Sequence, residues 1–203
     1  LAKETHVDCD LIVPVPDSGV PAAIGYSEKV KQSVELGIIR NHYVGRTFIE
    51  PTQQIRSFGV KLKHNINKSL VRNKSIILID DSLVRGTTSV KIIKMLYDSG
   101  AKEVHLRIAS PPIKFPDFYG VDTPSQDELL ASKLDIEGMR AFINAKSLNF
   151  LSIEGLYKSL GYSKRNSLYP QFTDHCFTGE YPVEPVDAKN NKQDEPTLLS
   201  IKK

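Results

Sequence analysis

A chain of 203 residues, 40% apolar and 25% charged, has the material for one globular core. No apolar run approaches the roughly 20 residues that span a bilayer, so no membrane segment is expected. A net charge of +3 with dispersed basic residues makes no nucleic-acid face, although it suits a small anionic ligand; two cysteines, Cys9 and Cys176, make no disulfide framework and point to the cytoplasm.

In chain order, Leu11 to Pro16 reads as a strand closed by proline, and Asp17-Ser18-Gly19 as a turn. Pro21 suits the first turn of a helix that runs through Ala22, Ala23, Ile24 and Tyr26 toward Val34. Leu36 to Ile39 reads as a second strand. From Arg40 to Arg56 no period emerges, and so long an irregular stretch is expected to be a functional loop. Ser75 to Ile79 is a third, buried strand, with Asp80 and Asp81 at its end. A Gly and hydroxyl loop follows, then an amphipathic helix carrying Val90, Ile93, Met95, Leu96 and Tyr97, with Gly100 at its C-terminal cap. Val104 to Ala109 is a fourth strand.

The order β-α-β-loop-β-α-β predicts a doubly wound, mainly parallel α/β sheet over residues 1–124. Such sheets bind ligands beyond the carboxyl ends of their strands. The turn after Pro16 and the loop over 80–89 both lie at such ends and could share one crevice. Beyond Pro112, Ser125-Gln126-Asp127-Glu128 fits a capping box. Helical patterns follow near 126–132, 136–144 and 153–160, with an apolar run at 148–151 between them. Residues 125–185 therefore read as a helical appendage packed on the core, and the polar tail 186–203 as disordered.

The segment Ile76 to Ser89 holds the chemistry. A helix N-terminus preceded by Gly86-Thr87-Thr88-Ser89 offers backbone N–H groups and a dipole to a phosphate. Two carboxylates beside it suit sugar hydroxyls or Mg2+. Phosphate, diol and metal together describe a phosphorylated ribose. Taken singly, each part is more often a solvated turn or a helix cap; contiguous, they read as a site.

This run resembles the phosphoribosyl pyrophosphate (PRPP) signature of type I phosphoribosyltransferases: hydrophobic strand, Asp-Asp, and a loop ending in Gly-Thr-Thr. Four further segments narrow the resemblance: Pro14 to Gly19, Arg40 to Ile49, Lys61 to Asn65 and Phe118 to Asp122. With Phe177 to Pro182, they look like the phosphoribosyltransferase part of the glutamine PRPP amidotransferase family, over about residues 7 to 183. The resemblance implies the type I phosphoribosyltransferase fold. It also implies conversion of PRPP and ammonia to 5-phosphoribosylamine and pyrophosphate, the first step of de novo purine synthesis.

Roles follow from it. Asp80 and Asp81 would hold the ribose hydroxyls and, with Ser18, Mg2+. Ser82, Gly86, Thr87, Thr88 and Ser89 would cradle the 5′-phosphate, with Arg85 at the pocket edge. The loop with Tyr43, Arg46 and Thr47 would close over the pyrophosphate, and Lys61 and Lys63 are candidates for anion contacts, or else a solvated charged turn. The expected catalytic set is Asp80, Asp81, Arg46 and Tyr43.

One branch of the family carries an iron–sulfur cluster on cysteines. The corresponding positions here include Asp117, Thr173 and Cys176, and one thiol cannot hold a cluster, so none is expected. Cys176 and Cys9 then read as buried structural residues, and His6, His42, His64, His105 and His175 show no metal-ligand spacing. The chain opens at Leu1 without a Cys nucleophile and reads as a piece of something longer, whose glutaminase domain would supply ammonia from glutamine. The resemblance further implies purine-nucleotide inhibitors and a homo-oligomer. Two alternatives stay open: another type I phosphoribosyltransferase, or a non-catalytic PRPP-binding regulatory module.

Overall fold

The computed structural model describes residues 1–41 and 64–183. Its main sheet is parallel throughout and has the order β1-β4-β5-β6, formed by β1 (Leu11–Pro14), β4 (Ser75–Asp80), β5 (Glu103–Ile108) and β6 (Ser147–Phe150). Each central strand is buried on both faces, which is why β4 reads as an uninterrupted apolar run. Alternate side chains then serve opposite layers.

On one face, Ile76 and Leu78 pack with Ile92, Ile93 and Leu96 of one helix (Thr87–Asp98) and with Met139 and Ile143 of another (Ile136–Ile143). On the other face, Ile12, Ile77 and Ile79 pack with Ala23 and Tyr26 of the helix Val20–Val30, and with Ala2 of the short helix Ala2–Thr5. At about 1.5–3 kcal/mol for each fully buried Ile or Leu, this two-layer burial is the main stabilising term. Fully buried Arg107 of β5 ties the N-terminal segment to β5 and β6: its Nε donates to Thr5 O at 2.6 Å, and its Nη1 to Leu106 O and Ser147 Oγ at 2.9 Å each.

The helices are numbered α1 (Ala2–Thr5), α2 (Val20–Val30), α3 (Lys68–Val71), α4 (Thr87–Asp98), α5 (Leu130–Lys133), α6 (Ile136–Ile143), α7 (Ile153–Ser159) and α8 (His175–Thr178). Pro21 sits in the first turn of α2 as expected, but Lys31 takes a left-handed conformation (φ 60°) and ends the helix before Val34. Gly100, with φ 93°, follows α4 as its terminating glycine.

Two sequence expectations need correction. The strand near Leu36–Ile39 is not part of the parallel sheet. It is β2 (Ile38–Arg40), paired antiparallel with β3 (His64–Ile66), Ile38 opposite Ile66. Ile38 is buried while Ile39 is 52% exposed, the pattern of a ribbon with one wet face. The second difference lies in the expected appendage. β6 is a strand of the main sheet, Leu106 opposite Leu148 and Ile108 opposite Phe150, so the α/β core continues past residue 124. Leu148 and Phe150 are buried between half-buried Ser147 and Asn149, a period of two over only four residues. The expected helix over 126–132 is a 3₁₀ turn, Gln126–Glu128, followed by α5, and Ser125 gives no side-chain cap. No helix among the described residues is long and apolar enough to cross a membrane. The tail assigned to 186–203 lies outside the described residues.

Candidate functional site

β1 and β4 are parallel neighbours with Pro14 opposite Ile79, so their carboxyl ends deliver two loops to one edge. Val15 N donates to Ile79 O at 2.8 Å, and Gly19 N to Val15 O at 2.9 Å, folding the first loop across the end of β4. Gly19 has no substitute there. A Cβ at this position would lie 2.3 Å from Ile79 O and 2.9 Å from Val15 O. The close approach places Ser18 Oγ 3.4 Å from Asp80 Oδ1, with the hydroxyl donating.

Asp80 is 7% exposed, whereas Asp81 is on the surface. Burial, and then the neighbouring Asp81 charge, push the Asp80 carboxyl up to about 8. Asp80 Oδ1 also accepts the Asp81 N–H at 2.9 Å, and Asp81 Oδ1 accepts the Ser82 N–H at 2.8 Å. Buried carboxylate, exposed carboxylate and hydroxyl form a set of hard oxygen donors. They suit a divalent cation such as Mg2+ together with sugar hydroxyls. A buried acid short of positive charge is a place where a cation is stabilising.

The second loop ends at Gly86 (φ 75°), and α4 begins there with no side-chain cap. The N–H groups of the first turn of a 12-residue helix are thus offered to an anion at Thr87, Thr88 and Ser89, which run from exposed to buried. The loop is braced from behind. Leu130 N donates to Val84 O at 2.9 Å, and a Cβ at Gly86 would lie 2.7 Å from Leu130 Cδ2. Arg85 does not stand alone at the edge: its Nε donates to Glu128 Oε2 at 2.7 Å, a solvent-exposed surface pair.

The structure therefore brings together Ser18, Asp80, Asp81, Ser82, Gly86, Thr87, Thr88 and Ser89 at one sheet edge. Tyr43, Arg46, Thr47, Lys61 and Lys63 lie outside the described residues. Sequence reasoning missed an ion pair between Arg40, at the end of β2, and Asp17, in the first loop. The two residues are 23 positions apart in the chain, with no spacing pattern that would reveal the pair. It also missed a grouping around a histidine. Asp117, His175 and Cys176 meet in space, with ligand atoms within 4.8 Å of one another. Cys9 and Cys176, expected to be buried, are half-buried free thiols.

Known proteins resemble this chain over about nine tenths of its length. No protein-family model matches the chain. It is 60% identical over 188 residues to an amidophosphoribosyltransferase of Rhizobium etli, covering 92% of this chain and 38% of that protein. It is 52% identical over 189 residues to the chloroplastic amidophosphoribosyltransferase 2 of Arabidopsis thaliana, covering 93% of this chain and 33% of that protein. Among solved structures it superposes, with a TM-score of 0.79 and 48% identity, on the glutamine PRPP amidotransferase of Bacillus subtilis complexed with ADP and GMP. That match covers 90% of this chain and 40% of that one. The chain thus spans about two fifths or less of the length of these relatives. Its mainly parallel sheet flanked by helices is the α/β fold of type I phosphoribosyltransferases.

Proposed function

We propose that this chain, which matches amidophosphoribosyltransferases over nine tenths of its length, forms the phosphoribosyl-transferring part of such an enzyme. It would take PRPP and ammonia to 5-phosphoribosylamine and pyrophosphate. One observation carries the reading. A buried carboxyl raised to about 8 lies 3.4 Å from a serine hydroxyl, on the strand that leads into an uncapped helix N-terminus.

The chemistry follows from charge. Departure of pyrophosphate from the ribose anomeric carbon develops positive charge on the ring, as in glycosyl transfer generally. The α4 N-terminus, through Thr87, Thr88 and Ser89, anchors the 5′-phosphate. Asp80 and Asp81 accept the ribose hydroxyls and place two oxygens near the developing charge. Asp80, Asp81 and Ser18 would hold Mg2+, which would supply charge neutralisation for the leaving pyrophosphate. Arg46, with Tyr43 and Thr47, contributes a cation and hydrogen bonds to the same leaving group. Lys61 and Lys63 add positive charge. Ammonia needs no pocket of its own, because the bound ribose fixes where it attacks and exclusion of water removes the competing hydrolysis.

The working protein on this reading is cytoplasmic and homo-oligomeric. It draws ammonia from a glutaminase domain and is inhibited by purine nucleotides. The test is pyrophosphate release by this chain with each nitrogen donor. Turnover with ammonia, faster at higher pH because only neutral NH3 attacks, and none with glutamine, is expected. Tight PRPP binding with no turnover by either donor would instead favour a PRPP-binding regulatory module.

A further inference from the structure

Nothing local holds the phosphate loop in shape. Gly86 is left-handed (φ 75°), and a glycine visits that region about as readily as any other, so its own residue type does not fix the turn. α4 starts there without a side-chain cap, so the restraint that a Ser or Asp cap gives is missing as well. A helix N-terminus left open for an anion is for that reason a loose one. Yet a phosphate cradle needs its N–H groups held within about 0.5 Å of their productive positions. The restraint has to come from another part of the chain.

Three successive loop residues are each held by the segment 128–142. Val84 O accepts the Leu130 N–H at 2.9 Å. That N–H is the first of α5, which has no side-chain cap of its own, so loop and helix each supply what the other lacks. Arg85 Nε donates to Glu128 Oε2 at 2.7 Å on the surface. At Gly86 the contact is apolar and close. A Cβ there would lie 2.7 Å from Leu130 Cδ2 and 3.2 Å from Phe142 Cε1, so the two side chains close the space into which the turn could slip.

Both side chains stand on anchored elements. Leu130 is 7% exposed and shares one core with Ile92 and Ile93 of α4 and with Met139 and Ile143 of α6. α6 is capped by Asp135, whose Oδ1 accepts the Gly138 N–H at 2.7 Å. Phe142 differs from Leu130 in being 49% exposed. Half of its ring is in water, and its inner edge lies against Gly86.

We infer that Leu130 and Phe142 are positioning residues for the 5′-phosphate: together they hold Gly86 in its left-handed turn and so aim the N–H groups of Thr87, Thr88 and Ser89 at the ligand. The inference rests on the PRPP reading of this site. Neither side chain has a group that binds phosphate, so both act through the loop. Their effect is confined to one end of the ligand, because Ser18, Asp80 and Asp81, which serve the ribose hydroxyls and Mg2+, precede the braced turn.

The experiment is calorimetry on the full chain with three probes: Mg-PRPP, ribose 5-phosphate and Mg-pyrophosphate. Phe142→Ala is the main variant, because a half-exposed ring can be removed at little cost to the fold. It should weaken PRPP and ribose 5-phosphate by the same factor, about 10-fold, the lower end of what one charge-assisted hydrogen bond contributes, and leave pyrophosphate within about twofold. Phe142→Leu, which keeps an apolar side chain over Gly86, should restore most of the loss. Leu130→Ala should show the same selectivity together with a lower Tm, since Leu130 also belongs to the core. A merely structural role would lower the Tm and weaken all three probes alike. That result, or wild-type affinity for ribose 5-phosphate in Phe142→Ala, would overturn the inference and leave the PRPP reading standing. Wild-type chain that binds neither PRPP nor ribose 5-phosphate would remove the PRPP reading and the inference together.

Discussion

Ser18 Oγ donates to Asp80 Oδ1 across 62 residues of chain, at 3.4 Å. The contact is long for a hydroxyl–carboxylate bond and contributes little by itself. Its meaning is positional: it marks where two strand ends converge and where a cation and a diol would find three oxygen-bearing side chains.

The first prediction tests those oxygens. Losing one charge-assisted hydrogen bond costs about 1.5–3 kcal/mol, or roughly 10- to 150-fold in affinity. Asp80→Asn and Asp81→Asn are each expected to weaken Mg-PRPP binding on that scale while circular dichroism stays unchanged. Calorimetry finding wild-type affinity in both variants would remove these residues from the site.

The second concerns pH. Asp80 has its folded-state pKa raised from an ordinary 3.8 to about 8, by burial first and by Asp81 second. The folded chain therefore holds this proton more tightly than the unfolded chain. Between those two values the unfolded state is ionised and the folded state is not, so stability falls as pH rises from about 4 to about 8. Asp80→Asn lacks this term. It should melt with wild type near pH 4 and at least about 5 °C above it near pH 9 without divalent cations, at the 2–4 °C per kcal/mol expected for a chain of this size. A constant gap across the range would show that Asp80 ionises freely.

The third rests on Gly19. A methyl group here would meet two backbone oxygens, which cannot rotate away as a side chain can. Gly19→Ala should cost about 1–3 kcal/mol, and it should displace the loop that carries Ser18. The expected result is a lower denaturation midpoint together with a loss of PRPP affinity beyond that of Ser18→Ala. Unaltered stability would mean that the loop does not pack on Ile79.

What could be read in the sequence follows from how local the signal is. β4, the two carboxylates, Gly86 and α4 are contiguous. A buried strand announces itself as an apolar run, and an uncapped helix start as Gly and hydroxyls. The place of β2 is not legible, because three residues of alternating exposure do not say which strand they join, and β3, His64-Asn65-Ile66, has no apolar run at all. β6 is masked for the same reason: its four residues between two helical patterns hold only two strand periods, too few to tell a strand from a connection. The Arg40–Asp17 pair and the Asp117–His175 pair join residues 23 and 58 apart, and only the tertiary fold brings them together.

The last prediction concerns how the C-terminal segment is held. Asp174 is 4% exposed, and its carboxylate accepts from Tyr157 Oη at 2.9 Å and from Arg165, whose Nη2 also reaches Glu180 at 2.6 Å. Burial alone would raise the Asp174 pKa, but the hydrogen bonds from Arg165 and Tyr157 outweigh it and leave it below the ordinary value. The pair therefore stabilises above the unfolded pKa near 3.8, and that contribution is lost as pH falls through the lowered folded value. Removing the cation strands a buried carboxylate, which typically costs about 3–5 kcal/mol. Arg165→Met should lower the Tm at neutral pH, with the difference narrowing in acid as Asp174 takes up a proton. The double variant Arg165→Met with Asp174→Asn should recover part of the loss, because no charge is then left without a partner. Hydrogen exchange should rise first over 174–183, the segment this pair holds. An Arg165→Met chain as stable as wild type, or a double variant less stable than the single one, would show that the ion pair does not hold this segment.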